Sequence, residues 1–200
     1  MSETKRQTRH PVKIPTPQRL KNIALYYLSR YAASETSLRR MLQRRMLRAK
    51  SAHPDFTNDH EKQAELNQTI EQIIEAHKKT GAVNDAAIAE MKIAGLRRSG
   101  RSEKFIHQKL TQRGLEKTLV TTKLREHDAN ETDETDESAE SKAALIYAKR
   151  RRLGPFRPPD RRKETDPRKD FATLARAGFR SAIIGKILHT PCDENEPEDL

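Results

Sequence analysis

The sequence predicts an all-α protein, and three observations predict it. Apolar residues recur at helical spacing through most of the chain. Valine occurs only three times in 200 residues and no run alternates with period two, so strands have no support. A six-residue phrase is written three times, as Leu42-Gln43-Arg44-Arg45-Met46-Leu47, Leu110-Thr111-Gln112-Arg113-Gly114-Leu115 and Leu174-Ala175-Arg176-Ala177-Gly178-Phe179. The copies start 68 and 64 residues apart, which predicts one structural unit built three times. The expected architecture is three tandem three-helix repeats.

The elements follow in order. Residues 1–16 are basic and proline-bearing and read as a disordered arm. The first repeat, 17–81, opens at Pro17 with Thr16 as N-cap. Leu20, Ile23, Ala24, Tyr27, Leu28 and Tyr31 share a face. Ser34 caps the next helix, which carries Leu38, Met41, Leu42 and Met46 on one side and arginines on the rest. His53-Pro54 breaks it, and a longer helix runs from about Asn58 to Lys79, with Leu66, Ile70, Ile73, Ile74 and His77 inward and Gly81 as the stop. The second repeat, 82–125, is capped at Asn84 or Asp85. It carries Ile88, Met91, Ile93 and Leu96 to Gly100, then Phe105, Ile106 and Leu110 to Gly114, then a helix opened by Glu116 with Leu119, Val120 and Leu124.

Residues 126–140 hold eight acids and no Lys or Arg, and read as an acidic linker. The third repeat, 141–189, starts with Ala143, Ala144, Leu145, Tyr147 and Ala148. A basic segment with Pro155, Pro158 and Pro159 interrupts it, since proline precludes a continuous helix. Asp166-Pro167 restarts a helix with Phe171 and Leu174 inward, and Ile183, Ile184, Ile187 and Leu188 form the last. Residues 190–200 are an acidic tail.

In each copy of the phrase, Leu precedes an apolar residue (Leu47, Leu115, Phe179) by five positions. Gly114 and Gly178 suit the left-handed conformation that ends a helix. The phrase therefore reads as a helix stop with an apolar latch, and Arg45, Arg113 and Arg176 complement the helix dipole. Met46 stands where a glycine belongs, so the first copy is where the geometry is expected to differ.

The phrase, the tripled plan and the segments Ile23-Ala24-Leu25-Tyr26-Tyr27-Leu28-Ser29-Arg30, Thr80-Gly81-Ala82-Val83-Asn84-Asp85 and Asp166-Pro167-Arg168-Lys169 resemble the RecX family, bacterial regulators of the RecA recombinase. The resemblance covers roughly residues 20–125 and 166–189. It implies an elongated, curved molecule that binds the RecA–single-stranded-DNA filament along its groove and restrains ATP hydrolysis, strand exchange and coprotease activity. The chain departs from the pattern at Met46, in the acidic run 126–140 and in the long basic segment 149–165.

Composition sets the limits on function. Leu, Ile, Val and Phe make up 37 of 200 residues, few for a chain of net charge +11. That charge suits nucleic acid or an acidic protein surface. No apolar stretch is long enough to span a membrane, the N-terminus has no secretory h-region, and the single Cys192 cannot form an internal disulfide. A reducing, cytoplasmic setting is expected, and nothing demands more than a monomer.

The candidate partner-binding residues are basic. Arg39, Arg40, Arg44, Arg45 and Arg48 lie on one helix. Arg97, Arg98, Arg101 and Lys104 lie at a helix junction, with Arg113 at the second copy of the phrase. Arg150, Arg151 and Arg152 end another helix. Acids are sparse beside each cluster, and guanidinium groups suit carboxylates and phosphates alike. Aromatics are not interleaved with the bases, so a stacking platform for single strands has weak support. A helix-turn-helix reader lacks the Asn and Gln that report base edges. Asp55-x-Thr57-x-Asp59-x-Glu61 hints at a calcium loop but has His60 where glycine is needed and Leu66 where the closing glutamate belongs. His77 and His107 read as packed or surface residues. No nucleophile, phosphate-cradling loop or catalytic carboxylate pair stands out, so neither an enzyme nor a cofactor is expected. The competing reading is a basic helical protein that binds nucleic acid directly, without RecA.

Overall fold

Ten α-helices and one short 3₁₀ turn account for the regular structure of the described residues, 12–130, 138–158 and 166–189, in a computed structural model. No strand occurs among them; only an isolated parallel bridge joins Ala33 and Val83. Contacts divide the chain into two compact units after Asp85.

The first unit holds α1 (Pro17–Leu28), α2 (Glu35–Ala52), α3 (Pro54–Asn58) and α4 (His60–Lys79). Thr16 caps α1 by accepting from the Arg19 amide at 3.2 Å, with Pro17 following. Ser34 caps α2 in the same way through Ser37 N. Leu38, Leu42, Met46 and Ala49 form the buried stripe of α2, and Leu66, Ile70, Ile73 and Ile74 that of α4. Both stripes pack on Leu20 and Ala24 of α1. Pro54 cannot extend α2 and starts α3, whose Phe56 fills the same core. Gln63 is buried with it, and its Nε2 donates to the carbonyls of Phe56 and Thr57 at 2.7 and 2.9 Å. So the repeat expected to have three helices has four.

Several expectations are corrected here. Ile14 packs against the core, Pro15 is buried, and His53 Nε2 donates to Val12 O at 2.6 Å, so 12–16 belong to the folded unit rather than to a disordered arm. The remainder of the arm lies outside the described residues. Tyr31 lies past the end of α1 and is exposed. His77 is only half-buried. The first copy of the phrase does not end a helix: α2 continues to Ala52, Met46 is buried, and Leu47, the expected latch, is 62% exposed.

The second unit has two hydrophobic clusters. One unites α5 (Asp85–Arg98), α6 (Glu103–Gln112) and α7 (Lys117–Asn130) through Ala89, Ile93, Ile106, Leu110, Leu115, Val120 and Leu124. The other unites α8 (Ala139–Arg151), the 3₁₀ turn Gly154–Phe156, α9 (Pro167–Arg176) and α10 (Ser181–Leu188) around Ala144, Ala148, Leu174, Phe179 and Ile184. The Tyr147 and Phe179 rings meet edge-on, centroids 5.7 Å apart.

In this unit the phrase is a helix stop. Gly114, at φ +86°, donates to Thr111 O at 2.8 Å while Leu115 N reaches back to Leu110 O at 3.2 Å. Gly178, at φ +97°, and Phe179 repeat both bonds to Ala175 O and Leu174 O. This paired pattern is a Schellman motif, and burial of Leu110 with Leu115 and of Leu174 with Phe179 supplies its apolar contact.

Two inward assignments fail. Met91 is 52% exposed and Phe171 40% exposed. In place of Phe171, Asp170 faces the interior, where it accepts from Gly154 N at 2.8 Å and from Arg157 at 2.5 Å. The Pro-rich segment is thereby fastened to α9. The acidic run is not a linker throughout. Residues 126–130 continue α7, Ser138 caps α8, and Glu140 lies in its first turn. Residues 131–137 and the tail 190–200 lie outside the described residues.

Candidate partner-binding surfaces

The buried stripe of α2 leaves a long opposite face to solvent. Arg40, Arg44, Leu47 and Arg48 fall on it at spacings of four, three and one, and Arg45 flanks it; all are exposed. Arg39 sits at the edge and serves the fold. Its Nε and Nη2 clasp the two carboxylate oxygens of Glu71 on α4 at 2.9 and 2.6 Å, and Nη2 also meets Glu35 at 2.9 Å. This forked bonding raises the Arg39 pKa and lowers those of Glu71 and Glu35, the latter with help from Lys78. Acids are therefore not absent beside this cluster; two of them take one arginine out of it.

Arg97 is corrected more strongly. It is 6% exposed, so it forms no part of a surface. Its Nε and Nη2 hold Asp128 at 3.0 and 2.5 Å, and its Nη1 holds Glu140 at 2.5 Å and Arg101 O at 3.1 Å. Burial disfavours its charge, but the bonds to Asp128 and then Glu140 outweigh burial and raise its pKa. Glu140 also accepts from Glu103 N, the first amide of α6. One guanidinium thus joins α5, α7 and α8 across the ends of the acidic run. Breaking such a pair from one side costs more than the pair contributes, because a desolvated charge is left alone.

The neighbours of Arg97 divide. Arg98 and Lys104 are exposed; Arg101 is half-buried with its guanidinium 4.8 Å over the Phe105 ring. Arg113 is exposed at the C-cap of α6. Arg150, Arg151 and Arg152 are exposed at the end of α8. Arg150 Nη1 donates to Ser99 O at 3.0 Å, which brings the α8 arginines to the α5–α6 junction.

Sequence reasoning missed the residues that build this junction. Ser102 is 1% exposed; its Oγ accepts from Phe105 N at 3.2 Å and donates to Ala177 O at 2.6 Å. It caps the start of α6 and the end of α9 at once. Its N-cap role was readable from Ser102-Glu103, but its partner 75 residues away was not. Asp128 and Glu140 were hidden in a run of like charge. The suspected calcium segment is ordinary capping: Asp59 accepts from Lys62 N at 2.9 Å. Among the described residues no group of three His, Cys, Asp or Glu could hold a metal ion. Among them, too, no helix is long and apolar enough to cross a membrane.

No protein-family model matches the chain. It is 37% identical over 185 residues to the regulatory protein RecX of Myxococcus xanthus (strain DK1622), covering 92% of this chain and 90% of that protein. To the regulatory protein RecX of Agrobacterium fabrum it is 31% identical over 117 residues, 58% of this chain and 56% of the relative. The fold matches the crystal structure of RecX from Lactobacillus salivarius with a TM-score of 0.58 at 18% identity, over 86% of this chain and 94% of that one. It matches a second crystal structure, of regulatory protein RecX, at 0.55 and 17% identity, over 86% and 70%. Similarity above 30% identity along nearly the whole chain, on a shared helical fold, means that this chain belongs to the RecX family of regulatory proteins.

Proposed function

We propose that the chain binds the RecA–single-stranded-DNA filament and restrains RecA's ATP hydrolysis, strand exchange and coprotease activity. It has no chemistry of its own in this reading and acts in the cytoplasm as a monomer. The observation that carries the reading is its similarity to a named regulatory protein over 92% of its length. The α2 face supplies a physical means, since Arg40, Arg44, Arg45 and Arg48 offer exposed guanidinium groups to carboxylates or phosphates. In the same reading each hydrophobic cluster is one repeat, and successive repeats touch neighbouring protomers. Each contact after the first is then intramolecular, and protomers held in one arrangement resist the cycle that ATP hydrolysis requires.

RecA ATPase on single-stranded DNA, titrated with the protein, tests this. Inhibition near stoichiometric ratios is expected, and none would refute the proposal. Changing Arg40, Arg44, Arg45 and Arg48 to Glu should raise the half-inhibiting concentration about tenfold or more, with an unchanged circular dichroism spectrum. Equal inhibition by that variant would move the contact off α2. Net charge +11 favours a second reading, direct nucleic-acid binding. It wins if naked DNA is bound as tightly as RecA-coated DNA, with a steep salt slope.

A further inference from the structure

Bases and aromatic rings meet on one helix face, the outer side of α1. Residues 12–34 hold Lys13, Arg19, Lys21 and Arg30 and no Asp or Glu. Leu20 and Ala24 turn the opposite side of α1 into the core. Arg19, Asn22, Tyr26 and Arg30, spaced by three, four and four, share the outer side, and all four are exposed. The helical turn carries on past Leu28, since the amides of Arg30 and Tyr31 both donate to Tyr27 O, at 3.2 and 3.0 Å. Tyr26 is 61% exposed and Tyr31 58% exposed. At about 100° per residue they stand on either side of Arg30. The Arg30 guanidinium lies 4.6 Å from the centre of the Tyr26 ring, a cation–π contact that occupies one face of the ring and leaves the other to solvent. Arg39 of α2 is taken up by Glu71 and Glu35. Among the described residues no ion pair engages Arg19 or Arg30.

We propose that this face binds single-stranded DNA, with bases stacked on Tyr26 and Tyr31 and phosphates on Arg30 and Arg19. Every base has a π-face, so stacking of this kind tolerates any sequence, and basic side chains beside the rings track the backbone. Arginine serves both parts, because its planar guanidinium stacks on a ring and forks onto a phosphate. The dimensions agree. At 1.5 Å per residue, Tyr31 lies about 7.5 Å beyond Tyr26 along the axis, about two of the 3.4 Å steps of a stacked strand. The strip from Arg19 to Tyr31 is about 18 Å long and about 10 Å wide. A strand of about five nucleotides covers it. A stable protein interface needs about 800 Å² from each partner, more than four times this strip. A duplex keeps its bases within the stack, out of reach of the rings. The site needs no RecA; only the choice of DNA over RNA rests on the proposed function.

The chain has four tyrosines and no tryptophan, so its own emission reports tyrosine. Oligo(dT) of about ten nucleotides, added to the full chain without RecA, should quench part of that emission. Tyr26→Ala should weaken binding of a labelled oligo(dT) about tenfold by fluorescence anisotropy. Tyr26→Phe keeps the ring and should stay within about twofold. Both side chains are exposed, so circular dichroism spectra should not change. An abasic oligonucleotide of the same length keeps the phosphates alone, and Tyr26→Ala should bind it as well as the unaltered chain does. Affinity should fall with salt at a log–log slope of about −1.4, from two phosphates at about −0.7 each. Unchanged affinity in Tyr26→Ala, or an equal loss in Tyr26→Phe, would overturn the inference. So would a steep salt slope without quenching, which would put the DNA on arginines elsewhere. Tighter binding of oligo(rU) would make the occupant RNA and overturn the assignment to DNA. If Tyr26→Ala binds oligo(dT) normally but RecA-coated DNA poorly, the face is a protein contact and the inference fails. A chain that shows these stacking effects yet leaves the RecA ATPase untouched would sink only the proposed function.

Discussion

Helices α2 and α6 carry the same phrase and use it in opposite ways. In α6, Gly114 takes a positive φ, the Schellman bonds close, and Leu115 folds back into the core. In α2, Met46 stands at the matching position, stays helical and is buried, and the helix runs on to Ala52. The consequence reaches the charged residues. The arginines of α2 line a face of an uninterrupted 18-residue helix, whereas Arg113 marks a helix end. One residue type thus decides whether the same local sequence makes a stop or a surface.

The largest expected effect breaks the α2 side of this comparison. Met46→Ala removes a buried side chain and should cost about 2–5 kcal/mol. Met46→Gly should cost about 1 kcal/mol more, the helix penalty of glycine relative to alanine. Urea unfolding followed by circular dichroism separates the two. Equal midpoints would mean that position 46 already lies outside a regular helix and that α2 and α6 differ less at this position.

The glycine side is tested next. Gly100 ends α5 at φ +70°, and a Cβ there would lie 2.7 Å from Tyr147 N and 2.9 Å from Ala143 O, backbone atoms of α8 that cannot step aside. Gly100→Ala should therefore cost about 3 kcal/mol, combining positive-φ strain with a displaced helix contact. Gly81→Ala, at φ +73° with open space where the Cβ would go, should cost only about 1 kcal/mol, since strain alone opposes it. If both lose the same amount by urea unfolding, the close approach of α5 and α8 contributes nothing.

Acid should act on the α2 face through Arg39. Glu71 and Glu35 have pKa values lowered from 4.5 in the folded chain, chiefly by Arg39. Lowered folded values mean that this stabilisation is fully present above about pH 4.5 and is lost as pH falls through the folded values. Glu71 is more than half exposed, so solvent screening holds the effect below about 1 kcal/mol. In Arg39→Met the slope of stability against pH below 4.5 should flatten. An unchanged slope would show that Arg39 does not set these titrations.

Helix positions and stops were readable because capping residues, prolines and helical periodicity are local signals. The failures at Arg97 and Asp170 share one cause: the partner was distant in sequence. Arg97 resembled its neighbours until Asp128 and Glu140 closed on it from 31 and 43 residues away. Asp170 was passed over for Phe171 because periodicity weighs hydrophobicity, while a carboxylate buried with Arg157 obeys pairing rather than hydropathy. For the same reason the arginine clusters could be named but not sorted. Charge is visible in a sequence, and its neutralisation is a property of the fold.

The smallest effect comes from the one described residue other than glycine with a positive φ. Arg152, at φ +52°, ends α8 with the same bond pattern as Gly114: it donates to Lys149 O at 3.0 Å and Leu153 N reaches Ala148 O at 3.0 Å. An arginine there bears the strain that glycine avoids, about 1 kcal/mol, offset in part by the greater freedom glycine has when unfolded. Arg152→Gly should therefore raise stability by about 0.5 kcal/mol, read as a higher urea midpoint. The same change removes a charge from the α8 surface, so if the proposed function uses that surface, binding to RecA-coated DNA should weaken as stability improves. Stability and binding moving in opposite directions would mark position 152 as one where the unstrained stop that glycine makes has been given up for a charge. If both rise together, Arg152 is only a strained cap, and the α8 surface consists of Arg150 and Arg151.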